Sequence, residues 1–278
     1  MKGVSVEAGA EIVATTEAVA QAGLLIVNAD DWGRDRDTTD QTARCAARHA
    51  VSSVSAMVFM EDSERAAGIA RESGIDAGLH LNLTTPFSAS HCPARLVERQ
   101  QEITACLRRH SFSRIIFHPW LARSFQYVVE CQLDEYRRLY GASPERIDGH
   151  HHMHLCSDVV FRGLLPEGIV VRRNFSFLAG EKSVWNRAYR KFVDGQLAKH
   201  HGMTDFFFSL PPLMPRSRLE RIFSLASAHT VEVETHPAHP GEFAFLMGDD
   251  FAALTENVSV ARRYAVGPLA IAGRKRPS

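Results

Sequence analysis

The stretch Leu-Leu-Ile-Val-Asn-Ala-Asp-Asp-Trp-Gly, residues 24–33, gives the first indication of the fold. Its first four residues are wholly apolar, and the run stops abruptly at Asn28, which is followed by the acidic pair Asp30 and Asp31. A short apolar run that passes directly into polar residues is typical of a buried parallel strand that opens into a functional loop. The stretch therefore predicts such a strand, with polar chemistry at its carboxyl end.

Working outward from this stretch, strands and helices alternate along the chain. Six further strands are predicted at 54–59, 76–83, 146–150, 169–172, 205–209 and 230–235, and helices at 38–49, 63–73, 125–140, 183–200 and 217–228. Ser63 is the expected N-cap of the second helix, and Gly74 and Gly141 are expected to end the second and third. This pattern favours one α/β domain over residues 24–270. A (β/α) barrel-like fold with about seven parallel strands is preferred to an open sheet, because polar residues recur at many strand ends.

Composition and charge exclude several classes of protein. The 278 residues contain 45% hydrophobic residues and equal numbers, 32 each, of Lys+Arg and Asp+Glu, which excludes disordered, collagen-like and coiled-coil chains and argues against a nucleic-acid partner. No stretch approaches the roughly 20 apolar residues of a membrane span. Residues 1–23 lack a signal-peptide core and predict a flexible or loosely helical extension, and residues 271–278 predict a basic tail. Five scattered cysteines favour a reducing compartment, so we expect a cytoplasmic protein, and a homodimer remains open.

Chemistry-bearing side chains follow four of the predicted strands. They are Asp30 with Asp31, His80, Asp148 with His150, and Glu234 with His236. Taken alone, the run His150-His151-His152-Met153-His154 is explained by a solvated loop, and the Asp pair by a turn or a helix cap. In a parallel α/β barrel, however, these strand ends converge on one face. A shared site that binds a divalent ion is therefore the better hypothesis, since imidazole and carboxylate suit Zn²⁺ and similar ions and also permit Mg²⁺.

Four motifs carry a resemblance to a known family. Residues 25–33 (LIVNADDWG), 78–84 (GLHLNLT), 147–154 (IDGHHHMH) and 235–237 (THP) resemble, in order and separation, the motifs of YdjC-type carbohydrate deacetylases. These include chitooligosaccharide deacetylases and relatives assigned to hopanoid biosynthesis. The similarity spans roughly residues 24–240. It implies a barrel-like deacetylase fold, with one divalent metal ion held by one Asp and two His.

Carried over by motif, the resemblance implies a role for each residue. The metal ligands would be Asp31, His80 and His150. Asp30 would be the general base, and His236 the acid that protonates the leaving amine. Asp148 is expected to orient a ligand histidine by accepting its second N–H.

The substrate contacts and the bond that is cleaved are less constrained. Trp32, Arg172 and His152 are candidate substrate contacts, although a core role for Trp32 and an ion pair for Arg172 are equally compatible with the sequence. The leading hypothesis is removal of an N-acetyl group from an amino sugar or a short N-acetylglucosamine-containing oligosaccharide or glycoconjugate. Alternatives are hydrolysis of another amide, an ester or a phosphoester, the last favouring a second metal at the extra histidines. A non-enzymatic metal- or sugar-binding protein is a further alternative.

Overall fold

Seven parallel strands form the centre of the molecule in a computed structural model that describes residues 23–177 and 183–266. Their spatial order is β5-β4-β3-β2-β1-β7-β6. In chain order the strands are β1 Leu24–Trp32, β2 Ser53–Ala56, β3 Ala77–Leu81, β4 Arg146–Gly149, β5 Val170–Val171, β6 Phe206–Ser209 and β7 Thr230–Thr235. The predicted strands are all present, and the last has the predicted bounds. The predicted extension, apart from Gly23, and the predicted basic tail lie outside the described residues.

The sheet curves into a half-barrel, which confirms the predicted barrel-like α/β fold. Strands β5 and β6 are its two edges, and short backbone contacts bridge the space between them. The Gly202 N–H donates to the carbonyl of Ile169 at 3.1 Å, and the Ser176 N–H donates to the carbonyl of Phe207 at 2.7 Å. All strands therefore present their carboxyl ends at one rim.

Helices cover the outer face of the sheet. They are α1 Arg36–Ala47, α2 Ser63–Ser73, α3 Ala94–Arg109, α4 Ala122–Tyr140, α5 Ser157–Val160, α6 Val184–Leu197, α7 Arg216–Leu225, α8 Pro240–Met247 and α9 Asp249–Thr255. Gly74 and Gly141 end α2 and α4 in the left-handed conformation, as predicted. The predicted N-cap is wrong, because Asp62 holds that position and the Ser63 hydroxyl donates to the carbonyl of Met57.

Helix α3 is absent from the sequence-based prediction. Its buried stripe is Leu96, Gln100, Ile103 and Leu107, so a polar residue interrupts the apolar spacing. The Gln100 amide donates to the carbonyl oxygens of Asn82 and Thr85. Carbonyl oxygens of the loop after β3 thus accept the hydrogen bonds of a polar side chain that the helix buries. The sequence of the helix itself does not indicate these acceptors.

The two faces of the sheet differ in character. Leu25, Val27 and Leu79 pack with the helices in the apolar core. The opposite face carries buried polar side chains. The Asn28 amide donates to the Ser55 hydroxyl at 2.6 Å, and a Cβ at Gly78 would lie only 2.4 Å from Nη1 of Arg146. In β3, Gly78 and His80 lie on this polar face, whereas Leu79 and Leu81 pack in the apolar core.

No helix in the two described ranges is both long enough and apolar enough to cross a membrane. The cytoplasmic location and the homodimer stay predictions.

Candidate active site

The carboxyl ends of β1, β3, β4 and β7 meet around one cavity of about 730 Å³. The predicted residues that line it are Asp30, Asp31, His80, His150, His152, Glu234 and His236. Asp148 lies just behind them, in hydrogen-bond contact with His80. The structure thus brings together side chains from all four predicted strand ends.

Two consecutive carboxylates face this cavity because β1 is irregular at its end. In a regular strand, neighbouring side chains point to opposite faces. Asp31 has a φ of 65°, in the left-handed region, and the pairing register of β1 with β2 shifts between Ala29 and Trp32. The irregularity turns Asp31 to the same side as Asp30. This conformation is costly for a non-glycine residue, which is typical of functional sites.

Asp31, His80 and His150 form a compact group of donor atoms. The Asp31 Oδ1 atom lies 2.8 Å from Nδ1 of His150 and 3.4 Å from Nε2 of His80. One ligand atom from each of the three residues lies within 4.8 Å of the others. Such separations are close to those around a single ion with metal–ligand distances of about 2.0–2.2 Å. The three buried side chains therefore fit one divalent ion.

Neighbouring groups fix the orientation and the charge of Asp31. Arg34 donates to Asp31 Oδ2 at 2.6 Å, which leaves Oδ1 directed at the histidines. Burial alone would raise the pKa of Asp31, but hydrogen bonds from His150 and His80 hold it well below its ordinary value. Asp31 is therefore ionised, as a metal ligand must be.

The orientation of His80 depends on Asp148. The Nδ1 atom of His80 lies 2.7 Å from Oδ1 of Asp148, and its Nε2 atom faces Asp31. Burial disfavours the charged imidazole, but Asp30 and Asp148 outweigh it and raise the pKa of His80 to about 10 in the metal-free protein. A carboxylate on the far nitrogen is the usual support for a metal-binding histidine.

Arg172 is the anchor of the cluster. It has no exposed surface, and its guanidinium forms ion pairs with Asp30 at 2.7 Å, Asp148 at 3.0 Å and Glu232 at 2.7 Å, with Glu234 at 3.5 Å. The predicted substrate contact is therefore wrong for Arg172. The structure shows the ion-pair alternative, because the N–H groups of the guanidinium point at carboxylates of the protein and leave no donor for a substrate.

The two oxygens of Asp30 have different surroundings. Oδ1 accepts from Nη2 of Arg172 at 2.7 Å and from the Asn28 amide at 2.9 Å, whereas Oδ2 accepts from Nη1 of Arg172 at 2.7 Å. Burial raises the pKa of Asp30, but Arg172 and His80 together outweigh burial, and the net pKa lies below its ordinary value. Because a carboxylate oxygen has two lone pairs, Oδ2 keeps one for another donor.

The histidine run is a tight 3₁₀ turn over His150–Leu155, and its members have separate environments. His151 and His152 both have positive φ. His150 turns toward Asp31, and His151 lies 3.0 Å from the Thr84 hydroxyl. His154 is buried, with Nε2 2.9 Å from the carbonyl of Arg172, and burial lowers its pKa to about 4. The run is therefore part of the site's framework and not a solvated loop.

His152 contributes to the cavity wall. Its ring packs edge-on against Phe175 at 4.5 Å between centroids, and Nε2 lies 3.8 Å from a Glu234 oxygen. Burial, followed by the charge of Arg172, lowers the pKa of His152 well below its ordinary value. A neutral, partly exposed imidazole remains available to a ligand.

His236 lies at the cavity, whereas Trp32 does not. The His236 backbone N–H donates to the Glu242 carboxylate at 2.8 Å, and its ring lines the cavity. Trp32, in contrast, is fully buried in the apolar core. The prediction that Trp32 stacks on a substrate is wrong, and its alternative, a core role, is correct.

Four basic residues of the cavity wall were missed by sequence reasoning. Arg108, His110, Arg114 and His239 line the cavity beside Arg34 and lie outside the predicted strand-end motifs. Arg108 lies in the last turn of helix α3, and His110 and Arg114 follow this helix, which the pattern did not reveal.

Comparisons with known proteins identify a family and several similar proteins. The family model described as "YdjC-like protein" matches residues 24–258. A mouse protein named carbohydrate deacetylase is 30% identical over 252 residues, covering 78% of each chain. A chitooligosaccharide deacetylase of Enterobacter sp. (strain 638) is 31% identical over 133 residues, which are 48% of this chain and 50% of that one. That of Serratia marcescens is 33% identical over 137 residues, 48% and 51% of the two chains.

The chain therefore spans about half the length of these chitooligosaccharide deacetylases. Among solved structures, an Enterococcus faecalis V583 protein described as a candidate for cellobiose-phosphate cleavage superposes with a TM-score of 0.61. It is 17% identical, and the match covers 86% of this chain and 97% of that one. At this identity the likeness concerns the fold alone.

Proposed function

This chain belongs to the YdjC-like protein family, and we propose on that premise that it is a metal-dependent carbohydrate N-deacetylase. The reaction would hydrolyse the acetamide of an N-acetylated amino sugar or a short oligosaccharide or glycoconjugate that contains one. The observation that carries the proposal is the buried donor group Asp31, His80 and His150 beside the ionised Asp30, at the wall of an open polar cavity. The names of the similar deacetylases support the same chemistry.

Asp31, His80 and His150 would hold one divalent ion. When bound, the ion polarises the acetyl carbonyl and lowers the pKa of water. Two imidazoles and one carboxylate suit Zn²⁺ or another divalent first-row ion, and Mg²⁺ can be held if waters complete its shell. We propose one ion per chain.

Asp30 would take the proton of the attacking water at Oδ2, the oxygen with a free lone pair. Arg172 keeps this carboxylate ionised and fixes its plane through two parallel hydrogen bonds. Because the side chain is held from two sides, no reorganisation is needed when the proton arrives.

His236 would return a proton to the departing amine. Its backbone is held by Glu242, and the following Pro237 restricts it to an extended conformation, so its ring stays at the cavity wall. An amine is a poor leaving group, so C–N cleavage needs such a donor. His152, on the same wall, is the remaining proposed substrate contact.

Hydrolysis of a phosphoester is less well supported. That reaction favours a second metal ion. Among the described residues, no cluster with metal-ligand spacing includes His151, His152 or His154. The group Asp30, His80 and Asp148 shares His80 with the first one, and Arg172 already pairs with both of its carboxylates.

Acetate release is the direct test. The purified chain is incubated with a panel of N-acetylglucosamine-containing mono- and oligosaccharides, each with Zn²⁺, Mg²⁺, Mn²⁺, Co²⁺ or chelator. We expect metal-dependent acetate release that is lost in His80→Ala. The matched control is His91→Ala, which changes a histidine in a partly exposed cluster with Glu64 and Glu135 and should keep activity.

Two results would contradict the proposal. One is an absence of acetate from every substrate with every metal. The other is hydrolysis of a phosphomonoester with two bound ions per chain, which would favour the phosphoester alternative.

A further inference from the structure

The exposed large apolar side chains of the described residues are concentrated in one region. Ten of the eleven lie in the segment 112–120, at position 161 or in the segment 184–192. They are Phe112, Ile115, Ile116, Phe117, Trp120, Phe161, Val184, Trp185, Tyr189 and Phe192. Among the residues that the structure describes, Met214 is the only exposed large apolar residue outside these segments. Contiguous exposed apolar surface is unusual on a soluble domain and marks an interaction site.

These segments form one continuous surface. The Arg162 guanidinium lies over the Phe117 ring at 3.9 Å, and the neighbouring Phe161 ring lies 6.2 Å from that of Phe192 on α6. We call residues 108–123, Phe161 and residues 184–192 the apolar–basic face.

The charge of this face has a single sign. The residues of this face include seven Arg and Lys residues and no Asp or Glu, although the whole chain has no net charge. The seven are Arg108, Arg109, Arg114, Arg123, Arg187, Arg190 and Lys191, and all except Arg190 are exposed. The complementary partner is therefore anionic as well as apolar.

The face also borders the candidate active site. Arg108, His110 and Arg114 belong to it and line the cavity that contains Asp30 and His80. Whatever binds the apolar–basic face is thus adjacent to the cavity mouth.

We propose that the apolar–basic face docks onto the surface of an anionic lipid bilayer. Aromatic side chains at the headgroup level and neighbouring Arg and Lys residues are the combination that interfacial binding requires. A second copy of the chain is a poorer occupant, because a symmetric contact would place this cationic surface against itself. The proposal does not rest on the deacetylase reaction, and binding can be measured without it.

The tryptophans give a direct readout. The chain has three, of which Trp32 is buried, whereas Trp120 and Trp185 are 73% and 86% exposed on this face. With vesicles of phosphatidylcholine and phosphatidylglycerol, we expect a blue shift of tryptophan emission and co-sedimentation of the protein. Both should weaken with added salt and be much smaller with phosphatidylcholine alone.

Variants separate the apolar and cationic contributions. Trp120→Ser and Trp185→Ser should each reduce binding to anionic vesicles. Met214→Ser is the matched control, since Met214 is 73% exposed but lies outside the face, and it should bind normally. Arg109→Gln and Arg187→Gln should each lower the partition coefficient about fivefold on anionic vesicles. Unchanged thermal unfolding shows that each variant is folded.

Three results would overturn the proposal. The first is no salt-sensitive binding of the wild-type chain to anionic vesicles, or equal binding of the tryptophan variants and wild type. The second is a dimer in sedimentation equilibrium that Trp185→Ser dissociates, which would make the face an interface between copies. The third is failure of acrylamide to quench Trp120 and Trp185 in the free protein, which would mean that another part of the chain already covers them.

Discussion

Replacing Arg172 by methionine tests the central electrostatic feature of the structure. The guanidinium is fully buried and faces four carboxylates, those of Asp30, Asp148, Glu232 and Glu234. Methionine fills a similar length of space but provides no charge. The substitution therefore leaves buried carboxylates without their counter-ion and removes two hydrogen bonds from Asp30.

The expected loss of stability is large. Removing one partner of a buried ion pair costs about 3–5 kcal/mol, because the other charge stays buried. In a domain of this size, 1 kcal/mol corresponds to about 2–4 °C in Tm. We therefore expect Arg172→Met to lower Tm by about 6–20 °C. Arg65→Met, which removes a partly exposed arginine paired with Asp62 and Asp40, should cost at most about 1 kcal/mol.

The loss of stability in Arg172→Met should depend on pH. In the wild type, burial opposes the charged forms of Asp30 and Asp148, but the charge of Arg172 favours them, and the pKa values of both groups are lowered. The two ionised carboxylates therefore stabilise the fold above the pKa of the unfolded state, and this stabilisation is lost in acid. In the variant, burial without the arginine should raise both pKa values above the unfolded value. The penalty is then complete at pH 8 and shrinks as the pH falls toward 5 and these groups protonate.

Thermal and urea unfolding of both variants and the wild type, at pH 8 and pH 5, provides the measurement. A loss below about 1 kcal/mol for Arg172→Met at pH 8 would refute the reasoning. So would a deficit that grows as the pH falls, because that would mean that the carboxylates are not the groups left unpaired.

Four further predictions concern the site. Asp30→Asn should retain metal and lose about 10²–10⁴ in kcat, whereas Asp31→Asn should lose metal as well; equal metal contents in the two variants would show that the assignment is wrong. Asp148→Asn should weaken metal affinity by about 10–100-fold in a competition titration, because His80 loses its orienting acceptor, and an unchanged affinity would argue against that role. The pKa of His80 is raised to about 10, so its protonation stabilises the metal-free protein fully below about pH 6.5 and less as the pH rises toward 10. His80 is therefore protonated at pH 8, and metal binding at that pH should release at least one proton. Calorimetry in two buffers with different ionisation enthalpies measures this release, and a result of no proton released would contradict the prediction. His236→Ala should keep metal and lower kcat on N-acetyl sugars far more than on an activated acetyl ester, and equal losses would remove the acid role.

Much of the fold was predictable because its signals are local. The apolar run before Asp30, the alternation around His80 and the glycines after α2 and α4 each reflect a backbone preference that acts within a few residues. Helix α3 was not predictable, since Gln100 is compensated by carbonyl oxygens some 15–18 residues earlier in the chain. Local pattern has no access to such a partner.

The site shows the same division. The sequence alone determined which residue types stand at the ends of the strands, and so it predicted that Asp31, His80 and His150 would meet. The tertiary structure decided what each side chain faces. Arg172 and Trp32 both follow or end strands and were equally plausible substrate contacts, yet one is enclosed by four carboxylates and the other by the core. The physical reason is that burial and charge pairing are set by distant elements: the partners of Arg172 come from β1, β4 and β7, and only the curvature of the sheet brings them to one point.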